Sequence, residues 1–388
     1  MGCPDVSGMA GGMGIMKVIV LGGYAESLIN FRGHLLAKMV KNGHEVIACA
    51  HGENIEVASF LKKIGVTYYD IKIERAGVNL IKDICTLWQL YSFYKKTNPE
   101  IVLNYTIKPV IYGSLAAYMV GVSNIFSIIT GLGYVFMGET LKHRTIRLFV
   151  TNMYRLALRV NKAVFFQNHD DLTFFTDSNL VSPHKQVLIN GSGVDLDYFG
   201  KAGITEQPIF LLIARLLKDK GIMEYVAAAR ILKKRHPLSI FQLLGPFDSN
   251  PNMISKFQIQ QWQDEGVIEY LGETKDVRPY IAAANIYVLP SYREGTPRSV
   301  LEAMAMGRPI ITTNAPGCRE TVIDRENGFL VPVKDVDALV CAMEQLIMQP
   351  NLIEKMGRRS REIAEDKYDV HKVNTVILRT MGLLEEIC

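Results

Sequence analysis

None of the six cysteines (Cys3, Cys49, Cys85, Cys318, Cys341 and Cys388) stands in a C-x-x-C pair. That excludes a zinc ribbon and a disulfide-stapled secreted scaffold, and it fits reduced cytosolic thiols. The eight histidines show no spacing that sets two ligands on one helical face. Low-complexity tracts and short repeats are lacking as well, which argues against disordered and solenoid classes. The first fifteen residues, rich in Gly and Met, lack the basic and long apolar regions of a signal peptide; they read as an unstructured leader, with Met16 a natural start. No basic-and-aromatic binding module is recognisable, so nucleic acid is not an expected partner. One uncharged run, Ile111 to Gly138, is long enough to cross a bilayer. Gly121-Val122-Ser123-Asn124 breaks it with a helix stop and a turn, so a helix–turn–strand unit of a buried parallel sheet explains it better.

Short apolar runs alternate with amphipathic stretches along the rest of the chain. Strands are expected at Lys17–Leu21, Glu45–Ala50, Val66–Asp70, Ile101–Leu103, Ile125–Ile129, Ala163–Phe166 and Val187–Ile189. A second set follows at Pro208–Ile213, Ser239–Leu244, Ile268–Tyr270, Ile286–Leu289 and Ile310–Thr313. A helix is expected over Arg32–Asn42, with Gly43 at its end. The β-α-β alternation predicts an α/β protein of two doubly wound, Rossmann-like domains facing a cleft. The expected limits are a leader over 1–15, a first domain over 16–190, a second over 191–369 and a final helix over 370–388. Ligands of such sheets bind beyond the carboxyl ends of the strands.

The chemistry concentrates in Arg293-Glu294-Gly295-Thr296-Pro297-Arg298 and the helix that follows, which carries Glu302. Thr296 suits an N-cap and Pro297 the first helical position. Glu294 then lies at the carboxyl end of a strand, just before a helix N-terminus that favours anions. Two carboxylates beside free backbone N–H groups suit a ligand with hydroxyls at both ends and phosphates between, the layout of a nucleotide sugar. Arg215 and Lys220 follow another strand and suit a diphosphate. Gly22 and Gly23 let the backbone approach a phosphate after the first strand.

This E-x7-E stretch resembles that of the retaining family-4 glycosyltransferases of the GT-B fold. Arg215-Leu216-Leu217-Lys218-Asp219-Lys220-Gly221 is similar to the family's diphosphate signature, and Ile189-Asn190-Gly191-Ser192-Gly193-Val194-Asp195 to its interdomain turn, with two extra residues. Within the family the chain is most similar to bacterial enzymes that extend undecaprenyl-diphosphate-linked oligosaccharides, such as N-acetylgalactosaminyltransferases. The resemblance implies a UDP-sugar donor, a lipid-linked acceptor, retention of configuration, and neither cofactor nor metal. It gives Arg215 and Lys220 the leaving diphosphate, Glu294 the sugar, Gly295 to Arg298 the distal phosphate, and Glu302 the ribose. Asn30, Arg32 and Thr130 fall on the acceptor side. Thr130 stands where many relatives carry His, so the group assisting the acceptor hydroxyl stays open. Asp195-Leu196-Asp197 has a D-x-D form but lies in the interdomain turn, and Asp197 reads as a turn or capping residue. In this family the last helix crosses back to the first domain.

Between Glu139 and Asp170, Lys142, Arg144, Arg147, Arg155, Arg159 and Lys162 meet no acid and alternate with apolar residues. Such a basic amphipathic helix suits an anionic membrane surface, with Lys142, Arg144, Arg147, Arg155 and Arg159 in contact. A peripheral protein at the inner face of the plasma membrane is expected. Two readings stay open beside the transferase: a UDP-sugar 2-epimerase of the same fold, and a non-catalytic sugar-nucleotide-binding subunit of a membrane complex.

Overall fold

A computed structural model describes residues 14–74, 79–132, 136, 140–205, 207–248, 250 and 252–384; the side chains of 141–143 fall outside that set. The expected leader therefore lies outside the described residues apart from Gly14 and Ile15, as do Cys3, Cys388 and the side chain of Lys142. The chain divides into two compact units. The first holds the described residues of Met1–Ser127, Val160–Lys162 and Thr375–Cys388; the second holds those of Ile128–Arg159 and Ala163–Asn374.

The first sheet contains β1 (Lys17–Leu21), β2 (Glu45–Ala50), β3 (Thr67–Asp70), β4 (Ile101–Tyr105), β5 (Asn124–Ile129), β6 (Ala163–Phe166) and β7 (Gln186–Leu188), in the order 3-2-1-4-5-6-7. Its helices are α1 (Ala25–Asn30), α2 (Gly33–Lys41), α3 (Ile55–Lys63), α4 (Leu80–Thr97), α5 (Ser114–Met119), α6 (Leu141–Arg159) and α7 (His169–Asp177). β1 pairs in parallel with both β2 and β4, and every residue of β4 is buried. That two-sided burial explains why these strands read as unbroken apolar runs. Within the long uncharged run, α5 stops at Met119, Gly121 turns the chain at φ 86°, and β5 begins at Asn124. No helix among the described residues is long and apolar enough to cross a membrane.

The second sheet contains β8 (Ile209–Ile213), β9 (Ile240–Leu244), β10 (Glu269–Tyr270), β11 (Ile286–Leu289), β12 (Ile310–Thr313) and β13 (Gly328–Val331), in the order 10-9-8-11-12-13 and parallel throughout. Around it run α8 (Ile222–Arg235), α9 (Lys256–Asp264), α10 (Arg278–Ala283), α11 (Arg298–Ala305), α12 (Val336–Met348) and α13 (Pro350–Lys367); α14 (Val370–Met381) follows and from Thr375 on belongs to the first unit. Phe210 and Phe241 stack at 5.1 Å inside its core. β13 is absent from the sequence-based expectation. It has four residues and opens on Asn327-Gly328, which reads as a turn, yet a side chain at 328 would meet Ile310 O at 1.7 Å. The final helix is shorter than expected, ending at Met381 before Gly382 at φ 70°. Beyond it, Leu383 O accepts from Asn42 Nδ2 at 2.9 Å within the first unit.

Candidate functional site

β8 and β11 are parallel neighbours, so the loops that follow them leave the sheet at the same edge. After β8 the chain passes Arg215, makes one turn of 3-10 helix over Lys218–Lys220, and enters α8 through Gly221 at φ 72°. Only glycine fits there: a Cβ would lie 2.0 Å from Pro290 O, at the end of β11. This close approach brings the two loops together. Lys220 Nζ donates to Glu294 Oε1 at 2.6 Å, and Ser291 Oγ donates to the same oxygen at 2.8 Å. The side chains of Lys220 and Glu294 are 14 % and 17 % exposed.

Three other expected site residues belong to this second-sheet region. Arg215 Nη1 donates to Asp248 Oδ2 at 2.6 Å, in a half-exposed position. Arg298 Nε donates to Glu302 Oε1 at 2.8 Å, one turn along α11. Glu302 is buried on a helix whose neighbours Val300, Leu301, Ala303 and Met304 are buried too. Burial pushes its carboxyl above the ordinary value, and Arg298 pulls the other way.

The start of α11 differs by one residue from expectation. Pro297 is the N-cap, with extended backbone, and Arg298 is the first helical residue. Thr296 does not cap; its Oγ1 donates to Gln167 O at 2.9 Å. The hydroxyl is drawn to a carbonyl just past β6 instead of to its own helix.

That contact belongs to a clamp the sequence did not reveal. Asn168 caps α7 by accepting from Asp171 N at 2.7 Å, while its Nδ2 donates to Gly295 O at 2.8 Å. Asp171, fully buried, pairs with Arg293. Arg319 Nη1 reaches Asp170 Oδ1 at 3.1 Å. Thr130 O would lie 2.4 Å from a Cβ at 295, so Gly295 lets the Thr130-Gly131 turn close on the loop. The loop carrying Glu294 is thus held by residues far upstream. The sequence did signal Asn168 as a helix start, an Asn before two acids, but not what its amide would bind.

Of the basic residues expected at a membrane, Arg144 and Arg147 line a cavity of about 730 Å³ together with Arg293, Leu148, Phe174 and Pro316. Arg155 is exposed, bonded to Asn152 Oδ1 at 2.6 Å, and Arg159 is exposed.

Gly22, Gly23, Asn30 and Arg32 lie in the first unit. A Cβ at Gly22 would meet Tyr105 Oη at 2.2 Å, and one at Gly23 would meet Thr106 Oγ1 at 2.8 Å, so side chains already crowd both glycines. Asn30 is exposed. Arg32 is buried beneath Tyr105, its Cζ 5.2 Å from the ring centre, and burial pulls its guanidinium down to about 10. In the D-x-D stretch Asp195, not Asp197, makes the turn: its Oδ1 accepts from the N–H groups of Asp197 and Tyr198 at 3.0 and 2.9 Å.

Residues 20–168 match the family described as Glycosyl transferase 4-like, and residues 196–363 match Glycosyl transferases group 1. Among curated proteins, the chain is 26 % identical over 338 residues to the N,N'-diacetylbacillosaminyl-diphospho-undecaprenol alpha-1,3-N-acetylgalactosaminyltransferase of Campylobacter jejuni, covering 84 % of this chain and 87 % of that protein. It is 24 % identical over 310 residues to the UDP-Gal:alpha-D-GlcNAc-diphosphoundecaprenol alpha-1,3-galactosyltransferase of Escherichia coli, covering 76 % and 78 %. Among solved structures, HepE of Anabaena in complex with UDP superposes with a TM-score of 0.74 at 16 % identity, over 95 % of this chain and 100 % of that one. Sucrose-phosphate synthase of Thermosynechococcus elongatus superposes with a TM-score of 0.77 at 18 % identity, over 94 % and 98 %. The two family matches follow one another along most of the chain, and the protein belongs to the glycosyltransferases they describe, with the GT-B fold.

Proposed function

We propose that the protein is a retaining, metal-independent glycosyltransferase that moves a sugar from a UDP donor to a lipid-diphosphate-linked acceptor during bacterial surface-glycan synthesis. The observation that carries the reading is the meeting of Lys220, Ser291 and Glu294 at the adjacent ends of β8 and β11, with Arg215 and Arg298–Glu302 on the same two segments. Arg215, Lys220 and the N-terminus of α11 stabilise the departing diphosphate, and Glu294 holds the hydroxyls of the reacting sugar. Glu302 accepts from the ribose. The acceptor hydroxyl attacks from the face the diphosphate leaves, and a donor phosphate oxygen takes its proton, so no protein base is needed. Thr130, whose carbonyl faces Gly295, serves the acceptor.

The relatives' names supply the acceptor class, since both carry a sugar on diphospho-undecaprenol. UDP is bound in HepE and stands in the name of the Escherichia coli relative. The cavity lined by Arg144 and Arg147 supports such an acceptor: their two guanidiniums for a diphosphate, and Leu148 and Phe174 for a prenyl chain, while Arg293 and Asp170 in the same lining are paired with Asp171 and Arg319. We take the functional domains to be 16–190 and 191–369, with 370–388 returning to the first. The chain works at the inner face of the plasma membrane, with α6 turned to the lipid. A panel of sugar nucleotides, assayed for diphosphonucleoside release with extracted polyprenyl-diphosphate sugars, tests the reading. Release that depends on both partners, with the anomeric configuration kept, is expected. Conversion of UDP-N-acetylglucosamine without acceptor identifies an epimerase, and UDP binding with no turnover on any acceptor identifies a binding subunit.

A further inference from the structure

The outward face of α4 is the wrong composition for a helix in water. Asp83, Thr86, Leu90 and Tyr94 turn inward and are buried. Outward stand Leu80, Ile81, Ile84 and Trp88, with Ile81 76 % and Trp88 57 % exposed, and the thiol of Cys85 between them. α5 packs beside α4 and adds exposed Tyr118 and Met119. A contiguous exposed apolar patch of this kind marks an interaction surface.

Its charge says what it meets. Asp83 is the only acid of α4, and it is buried against Lys108 Nζ at 2.7 Å. The outward face of α4 therefore carries no carboxylate of its own, and the neighbouring Glu74 is taken up by Lys82. Lys95 and Lys96 are exposed in the last turns, Lys95 beside the Tyr91 ring at 5.8 Å. A second copy of this face offers Lys95 and Lys96 no unpaired carboxylate from α4, since the neighbouring Glu74 is held by Lys82; lipid phosphates offer them an anion. Trp and Tyr beside aliphatic side chains, with lysines at one end, is the composition that settles at the headgroup level.

We propose that the α4 face is an insertion surface for anionic lipid, in which Leu80, Ile81, Ile84 and Trp88 enter the headgroup–acyl boundary while Lys95 and Lys96 meet phosphates. It shares with the functional reading only the placement of the chain at a membrane, and needs no turnover.

Trp88 is its own reporter. The chain has two tryptophans, and the other, Trp262, is buried. The full chain is titrated with phosphatidylethanolamine–phosphatidylglycerol vesicles with and without brominated acyl chains. Wild-type emission should shift to the blue and be quenched by the brominated lipid, and Trp88→Phe should abolish the quenching. Ile81→Ser with Ile84→Ser, at exposed positions that leave the fold intact by circular dichroism, should weaken vesicle binding by at least about tenfold. An unquenched Trp88 on vesicle-bound protein overturns the proposal, because another surface is then in contact. So does a blue shift that grows with protein concentration in the absence of lipid, which is self-association, and so does failure to bind vesicles. Quenching with no sugar transfer would fault the assigned reaction and leave this surface standing.

Discussion

Replacing Glu294 by Gln removes one negative charge and almost no volume. Oε1 of that carboxylate receives both Lys220 Nζ, at 2.6 Å, and Ser291 Oγ, at 2.8 Å. An amide oxygen accepts the same two bonds, so the geometry stays while the ammonium loses its counter-charge. A hydrogen bond to a charged group contributes about 1.5–3 kcal/mol and a neutral one about 0.5–1.5, so the hold on Lys220 weakens by about 1 kcal/mol. A diphosphate competing for that ammonium should then bind about fivefold more tightly. The sugar end moves the other way. Losing a charged acceptor that strengthens its bond in the transition state costs about 3 kcal/mol, so kcat should fall about 10²-fold. Calorimetric titration with UDP and nucleotide release on the same preparation read the two effects separately. Unchanged turnover would refute the placement of Glu294 against the sugar. Weaker UDP binding would refute competition between Glu294 and the diphosphate for Lys220.

Asp171→Asn should leave Arg293 without its counter-charge; the cost is about 2 kcal/mol, below the range for a fully buried pair because Arg293 keeps some access to water, and the melting temperature should drop by about 4–8 °C. Scanning calorimetry checks this, and an unshifted transition would show that the clamp does not hold the loop. For Glu302, whose carboxyl titrates above its ordinary range, the folded chain binds more protons than the unfolded one, so the group's effect on stability becomes less favourable as pH rises from about 4.5 through the raised value. If the ionised form accepts from ribose as proposed, UDP affinity should rise across the same window, and Glu302→Gln should flatten both trends in paired melting and titration series. Replacing Arg144, Arg147, Arg155 and Arg159 together by Ser should weaken sedimentation with anionic vesicles, and the loss should shrink as salt is raised; equal binding at low salt would remove α6 from the membrane contact.

Strand positions were legible because parallel strands buried on both faces leave apolar runs that need no partner to be recognised. β1, β2, β6, β11 and β12 fall on the expected residues, and β8 and β9 begin one residue later than expected. The adjacency of β8 and β11 was not legible, since it is set by sheet order, and it is what joins Lys220 to Glu294. Thr296 looked like a cap by local rules and would be one on an isolated helix. Gln167 O, 129 residues away, outcompetes the helix for that hydroxyl. Asp195 and Asp197 were separable only by geometry, because both have the chemistry to close the turn. The glycines after β1 were expected to admit a phosphate; the groups the structure brings against them are Tyr105 and Thr106.

Three cations of the proposed donor site share one property that residue spacing does not convey. Arg215 sits on Asp248, Lys220 on Glu294 and Arg298 on Glu302. Each of these three charges has a carboxylate within bonding distance. A diphosphate must therefore bind by exchange, taking a guanidinium or ammonium from a carboxylate that turns to another donor. Glu294 and Glu302 have such donors at hand if sugar and ribose hydroxyls arrive with the phosphates. Inorganic diphosphate brings none and leaves the displaced carboxylates unpaired in a partly buried site, which costs several kcal/mol per stranded charge. If the proposed donor assignment holds, this coupling selects the whole nucleotide sugar over its phosphate part, because only the sugar and ribose hydroxyls release the cations that the two glutamates hold.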